Sequence, residues 1–212
     1  MLLDYFQSLQ MNQVYLSVGP DESLLEKATD FIASANQQGL NSHLLVGNNT
    51  LIDPQEQSKK LQTYAEHAVR LGASGVHLNV EPHTFDDWDE RRERYEQQFM
   101  DLIRAASTLF ESRDLSLSIS IPHFYDSIVS RLEPHVESIV VMVYETTDVQ
   151  VLKGRIEAER QKLGEKLYVA VRPSDFRNFD HLNKFIQQVR AETAVQGVIL
   201  HHTGSLIYTE VN

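Results

Sequence analysis

The chain has 212 residues, 42% of them apolar and 23% charged, the make-up of a globular protein large enough to bury a sizeable core. Nineteen basic residues stand against thirty acidic ones, a net charge of −11, which excludes nucleic acid and anionic membrane surfaces as default partners, because both demand clustered Lys and Arg. Cysteine is absent, so disulfides, thiolate metal sites and cysteine nucleophiles are excluded as well.

The opening residues, MLLDYFQSLQ, lack a basic stretch and carry Asp4 among the apolar residues, unlike a signal peptide. No run approaches the roughly 18 apolar residues of a membrane span. As the chain stands, these features predict a cytoplasmic protein. Leu2–Leu9 reads as a helix, followed by a strand over Val14–Val18. From there short Val-, Ile- and Leu-rich runs alternate with longer stretches of helical period. The strands are expected at His43–Val46, Gly75–Glu81, Leu115–Ile121, Ser138–Tyr144, Lys166–Arg172 and Gly197–His201. The helices are expected at Ser23–Gln38, Pro54–Leu71, Trp88–Ser112, Asp126–Leu132, Asp148–Leu163 and Asp180–Arg190. Leu61, Tyr64, Ala65, Ala68 and Leu71 form one apolar stripe, and Phe99, Leu102, Ile103 and Ala106 another. Asp21, Asp53 and Asp180 stand near helix starts, Pro54 fits a first helical position, and Gly39 and Gly72 fit helix ends. The charged cluster Asp86–Glu96 reads as the solvated start of a long helix.

Strand alternating with helix implies parallel strands joined by right-handed crossovers, an α/β class. No linker or break in composition divides the chain, so residues 1–212 are expected to form one domain. Seven strands are one short of the eight in a closed (β/α) barrel. The expected architecture is therefore a TIM-type (β/α) barrel that is incomplete, its first strand missing. The alternative is an open seven-stranded sheet, although the chain has no G-x-G-x-x-G or P-loop motif to support it. A barrel short of one strand exposes two edges, which predicts that the N-terminal helix, the C-terminal tail or a homodimer covers the gap.

In a barrel, strand residues alternate between the interior and the helix layer, and active groups gather at the C-terminal strand ends. On Gly75–Glu81 this alternation turns His77, Asn79 and Glu81 inward, with Glu81 at the rim and His83 just beyond. Ser116, Ser118 and Ser120 share the interior on the next strand, leaving space or bonding one another, and His123 follows at the rim. Met142 and Tyr144 share a parity, with Glu145 at the loop edge. Tyr168, Ala170 and Arg172 turn inward later, so that Arg172 is expected beside Glu81 or Glu145. Of His201 and His202 only one can face inward. Polar interior residues have two readings, a site or a self-satisfied hydrogen-bond network.

These residues carry a resemblance. Gly75-Val76-His77-Leu78-Asn79-Val80-Glu81 resembles the D-G-x-D-x-D-x-E strand of the chitinase-like (family 18) glycoside hydrolases, and Val141-Met142-Val143-Tyr144-Glu145 their M-x-Y-D segment, about sixty residues on. The phrase GVHLNVEP is similar to the GIHLDVEP of bacterial barrel proteins related to that group. The resemblance implies a glycosidic-bond hydrolase. Glu81 would be the general acid, Tyr144 a holder of the substrate N-acetyl group, Met142 part of the same floor, and the substrate's acetamido oxygen the nucleophile. Asn79 stands where the family has its middle Asp, and His77 where it has an earlier one. An amide cannot become an anion, but its carbonyl accepts a hydrogen bond. His201 or His202 replaces the family's final tryptophan. Trp88 is either a sugar platform at the rim or a packing residue.

Three readings remain. Glu81 and Glu145 could form a two-carboxylate hydrolase; Glu81 could act in an altered substrate-assisted route; or the barrel could be inactive and bind a saccharide or a protein. The expected catalytic set is Glu81, Asn79, Tyr144 and Glu145, with His77, Met142, His123, Arg172, His201 and Trp88 against the substrate. The expected partner is a glycan or small molecule. No cofactor or metal is expected: despite nine histidines there is no H-E-x-x-H, and no G-x-S-x-G marks a serine nucleophile.

Overall fold

Seven parallel strands follow one another in the order β1-β2-β3-β4-β5-β6-β7. In an open doubly wound sheet the order reverses at a switch point. Uninterrupted sequential order is that of a TIM-type (β/α) barrel, with one strand fewer than eight among the described residues. The structure, a computed structural model, describes residues 2–18 and 22–202, apart from the side chains of residues 22 and 23. Asp21, expected at a helix start, and the C-terminal tail lie outside the described residues.

The chain divides into two compact units, Met1–Ile119 and Ser120–Asn212. The first holds α1 (Leu2–Ser8), β1 (Gln13–Leu16), α2 (Glu22–Gln37), β2 (Asn41–Val46), α3 (Pro54–Leu71), β3 (Gly75–Leu78), α4 (Trp88–Glu111) and the start of β4 (Ser116–Pro122). The second holds the end of β4, then α5 (Val129–Leu132), β5 (Ser138–Met142), α6 (Val149–Arg155), α7 (Glu157–Leu163), β6 (Leu167–Val171), α8 (Phe179–Glu192) and β7 (Gly197–Leu200). None of the described helices is long and apolar enough to cross a membrane.

Local chemistry explains the best-defined helix. Asp53 Oδ1 accepts from the Gln55 N–H, Pro54 opens α3, and Gly72 closes it in the left-handed conformation (φ 71°), its N–H returning to the Ala68 and Val69 carbonyls. Leu61, Ala65, Ala68 and Leu71 of its stripe are buried. Phe99, Leu102, Ile103 and Ala106 of α4 are fully buried, and each of the first three contributes about 1.5–3 kcal/mol by leaving water. At the N-terminus, Phe6 of α1 packs with Ala35 and Leu40, and Val14 of β1 joins the same cluster.

Two expected helices differ. Asp148–Leu163 is not continuous: α6 and α7 meet at Ile156, whose backbone is non-helical (φ −107°, ψ 8°). Gly154 weakens the helix there, and the break leaves both Leu152 and Ile156 fully buried. Asp126–Leu132 is helical only from Val129. At α8 the cap is Asn178, which accepts from the His181 N–H, and Asp180 sits in the first turn.

Register sorts the strand residues. Tyr15 pairs with His43, His43 with Gly75, and Gly75 and His77 with Ser116 and Ser118. These six therefore share one face. Leu44, Val46, Val76, Leu78, Leu117 and Ile119 occupy the other and are all buried. In the second unit Met142, Ala170 and Ile199 align across β5, β6 and β7.

Candidate functional site

Glu81 lies just past the ladder of β3. Pairing stops at Leu78, one further bond joins the Asn79 N–H to the Val46 carbonyl, and Pro82 then starts a short 3₁₀ turn for which Glu81 is the cap. Proline has no N–H for the ladder and pushes the residue before it out of the helical region, so the sequence itself ends the strand here. The backbone is pinned on both sides: the Glu81 N–H donates to Asn49 Oδ1 at 2.8 Å, and the Thr84 hydroxyl donates to the Glu81 carbonyl at 2.7 Å. Asn49 Nδ2 in turn donates to Thr84 Oγ1. The side chain is 29% exposed, so its carboxyl is held yet reachable from solvent.

Asn79 Nδ2 donates to Glu81 Oε1 at 2.7 Å. An amide N–H fills one acceptor position of the carboxyl and cannot share a proton with it as a second carboxyl would. Asn79 Oδ1 is buried with no hydrogen-bond partner among the described residues. His83 Nε2 stands 3.6 Å from Glu81 Oε2, outside hydrogen-bond range. Burial holds the His83 ring below the usual histidine pKa, with Glu81 opposing the shift.

Beneath this rim lies the interior network of the first unit. His77 is 2% exposed, donates to or accepts from Ser118 Oγ at 2.8 Å, and stacks on Tyr15 at a centroid distance of 4.0 Å. His43 reaches the same Ser118 at 3.3 Å and Ser116 at 3.3 Å. Burial, with His43 adding to it, lowers the His77 pKa to about 3, so the ring is neutral at any working pH. Ser116 and Ser118 thus bond the histidines. His77, expected against substrate, lies buried within this network. Trp88 is 8% exposed and stacks on Tyr95, with the Arg92 guanidinium over its ring. This is a packed environment that leaves little ring face for a sugar.

The second unit forms its own cluster at three successive strand ends. The Arg172 guanidinium lies 5.0 Å from the Tyr144 ring centroid, and His201 lies 5.3 Å from it on β7 parity. Arg172 Nη2 donates to Glu145 Oε1 at 3.0 Å, and Asp175 stands at 3.4 Å. Of the two positions expected for Arg172, the second unit shows the one beside Glu145. The Arg155 guanidinium donates to the Tyr144 carbonyl at 2.9 Å and to the Thr146 hydroxyl. Met142 is 7% exposed, and the nearby His123 ring has its pKa lowered chiefly by burial and then by Arg155, with the Met142 backbone opposing.

Asn49, Tyr15, His43 and Asp175 were not singled out by sequence. Tyr15 and His43 carry the inward parity of their strands, a signal that was present in the pattern. Asn49 and Asp175 sit in loops, where no periodicity marks them.

The chain has the fold of the chitinase-like, family 18-type TIM barrels, a glycoside hydrolase-like fold. Solved structures similar to it include a chitinase from Chromobacterium violaceum (13% identity, TM-score 0.63, covering 80% of this chain and 63% of that one). An endo-beta-N-acetylglucosaminidase from Cordyceps militaris matches at 10% identity and TM-score 0.66, covering 89% and 70%. The catalytic domain 2 of an Ostrinia furnacalis Group II chitinase, solved in complex with penta-N-acetylchitooctaose, matches at 17% identity and TM-score 0.51, covering 76% and 56%. At such identities the likeness is one of fold. The chain spans less than two thirds of the Chromobacterium enzyme's length. No protein-family model and no curated protein matches the sequence.

Proposed function

We propose that this protein is a carbohydrate-active hydrolase that cleaves the glycosidic bond of an N-acetylated sugar, with Glu81 as general acid. The observation that carries the reading is Glu81 itself: a part-exposed carboxyl just past the C-terminal end of a barrel strand, fixed by Asn49 and Thr84 through its backbone and by Asn79 through its side chain. The substrate-assisted variant has more support than the two-carboxylate one. Glu145 is 81% exposed and paired with Arg172, whereas Asn79 Oδ1 is a buried acceptor that an acetamido N–H would satisfy.

In this route Glu81 gives its proton to the leaving glycosidic oxygen as the C–O bond breaks. The acetamido carbonyl oxygen bonds to the anomeric carbon, and Asn79 Oδ1 holds the acetamido N–H. Water then opens the cyclic intermediate and returns a proton through Glu81.

The test is turnover of N-acetylated chito-oligosaccharides by Glu81→Gln. Loss of about 10²–10⁴-fold with binding retained is expected; unchanged turnover sinks the reading. The amide at position 79 favours a second reading, an inactive relative that still binds a saccharide. That reading predicts a glycan-dependent rise in melting temperature without cleavage, and cleavage gained in Asn79→Asp would identify a site whose carboxylate has been lost.

A further inference from the structure

The second unit presents a cation that the hydrolytic chemistry does not use. We propose that Arg172 binds a carboxylate carried by a sugar, with Glu145 as a displaceable internal stand-in for that carboxylate. This rests on the proposed function and names an acidic N-acetylated glycan as the ligand class.

Arg172 has five N–H donors. Nη2 serves Glu145, Nε reaches Asp175 Oδ2 at 3.4 Å, and Nη1 has no hydrogen-bond partner among the described residues. A third of the side chain is exposed, and the guanidinium lies over the Tyr144 ring. The cation is therefore open to solvent beside an aromatic ring of its own unit.

Its two carboxylate partners differ in kind. Asp175 is 14% exposed and also accepts the Glu145 N–H at 2.7 Å, so it is built into the loop and orients the guanidinium. Glu145 is 81% exposed, and ion pairs at such exposure are weak and screened by salt. Its backbone is left-handed (φ 58°), an uncommon conformation for a residue other than glycine, of the kind that clusters at functional sites. A ligand carboxylate replacing Glu145 exchanges one negative charge for another. The exchange adds no charge at the guanidinium itself, in a protein whose net charge of −11 disfavours anions elsewhere. A planar guanidinium with a free edge suits bidentate capture of a carboxylate, which a neutral chitin-type sugar lacks.

The experiment measures the affinity of the full chain for N-acetylmuramic acid and for N-acetylglucosamine, which differ by a lactyl carboxylate, with an N-acetylglucosamine–glucuronic acid disaccharide as the uronic-acid arm. At low salt at least one acidic sugar is expected to bind about tenfold more tightly than N-acetylglucosamine, and which one does identifies the carboxylate's position. Arg172→Gln should bring the ratio to about one, and Glu145→Gln should raise it about two- to fivefold by removing the competitor. Equal affinity for acidic and neutral sugars, or a ratio that neither substitution changes, overturns the inference. Cleavage abolished by Glu81→Gln together with equal affinities would leave the hydrolase reading standing and remove this one. An acidic preference with no cleavage would do the reverse.

Discussion

Gly75→Ala is expected to destabilise the fold by about 3 kcal/mol, lowering the melting temperature by roughly 6–12 °C. A Cβ at this position would lie 2.2 Å from Ser116 Oγ, 2.6 Å from the Ser116 carbonyl oxygen and 3.1 Å from His43 Cε1. The hydroxyl could turn away at the expense of its contact with His43. The carbonyl belongs to the neighbouring strand, paired with Gly75 in register, and can move only if β4 moves. Overpacking against backbone is therefore relieved by displacing β3, the strand that leads to Asn79 and Glu81. The double variant Gly75→Ala/Ser116→Gly should recover only part of the loss, because it removes the hydroxyl and keeps the carbonyl. A thermal melt of both variants decides the matter, and a melting temperature unchanged in Gly75→Ala contradicts the close approach.

The second large effect concerns Glu159 on α7. This carboxyl is fully buried, and neither oxygen has a well-formed hydrogen bond among the described residues. Burial pushes its pKa up to about 8 against the pull of its own backbone N–H; the Asp126 carboxylate adds to the rise, and Lys162, whose ammonium donates to the Asp126 carbonyl at 2.7 Å, opposes it. The folded state therefore holds a proton on Glu159 that the unfolded chain releases near its ordinary value of 4.5. A group with its folded pKa raised contributes stability below the unfolded value and loses it as pH rises through the folded one. Stability should fall by on the order of a few kcal/mol between about pH 4.5 and pH 8. Glu159→Gln keeps the shape, cannot ionise, and should flatten that decline, leaving the variant more stable than the parent at pH 8. Denaturant unfolding of both proteins from pH 5 to pH 8.5 measures it, and parallel curves would show that Glu159 does not titrate in this range.

Where the controlling interactions are local, the sequence could be read directly. Helix α3 begins and ends as expected because Asp53, Pro54 and Gly72 act on adjacent backbone groups. Glu81 could be placed at the C-terminal end of its strand because alternation has period two, but the strand was expected to reach Glu81 and its pairing stops at Leu78, before Pro82. The break at Ile156 was not legible. Helical spacing continues across it, and only the burial of Leu152 and Ile156 against the rest of the second unit selects two helices over one. The role of His77 was half legible: parity turned it inward, but whether it met substrate or Ser118 depended on a strand 41 residues later.

The amino-acid sequence alone thus determined the alternation of strands and helices and the parity of each strand, because these follow from near-neighbour geometry. Only the tertiary structure decided that Asn49 holds the Glu81 backbone, that Tyr15, His43 and Ser118 enclose His77, and that Arg172 pairs with Glu145 over Tyr144. Such pairings join residues far apart in the chain. A hydrogen bond or ion pair between them needs both partners brought within about 3 Å, and that placement is made by packing, which no local pattern encodes.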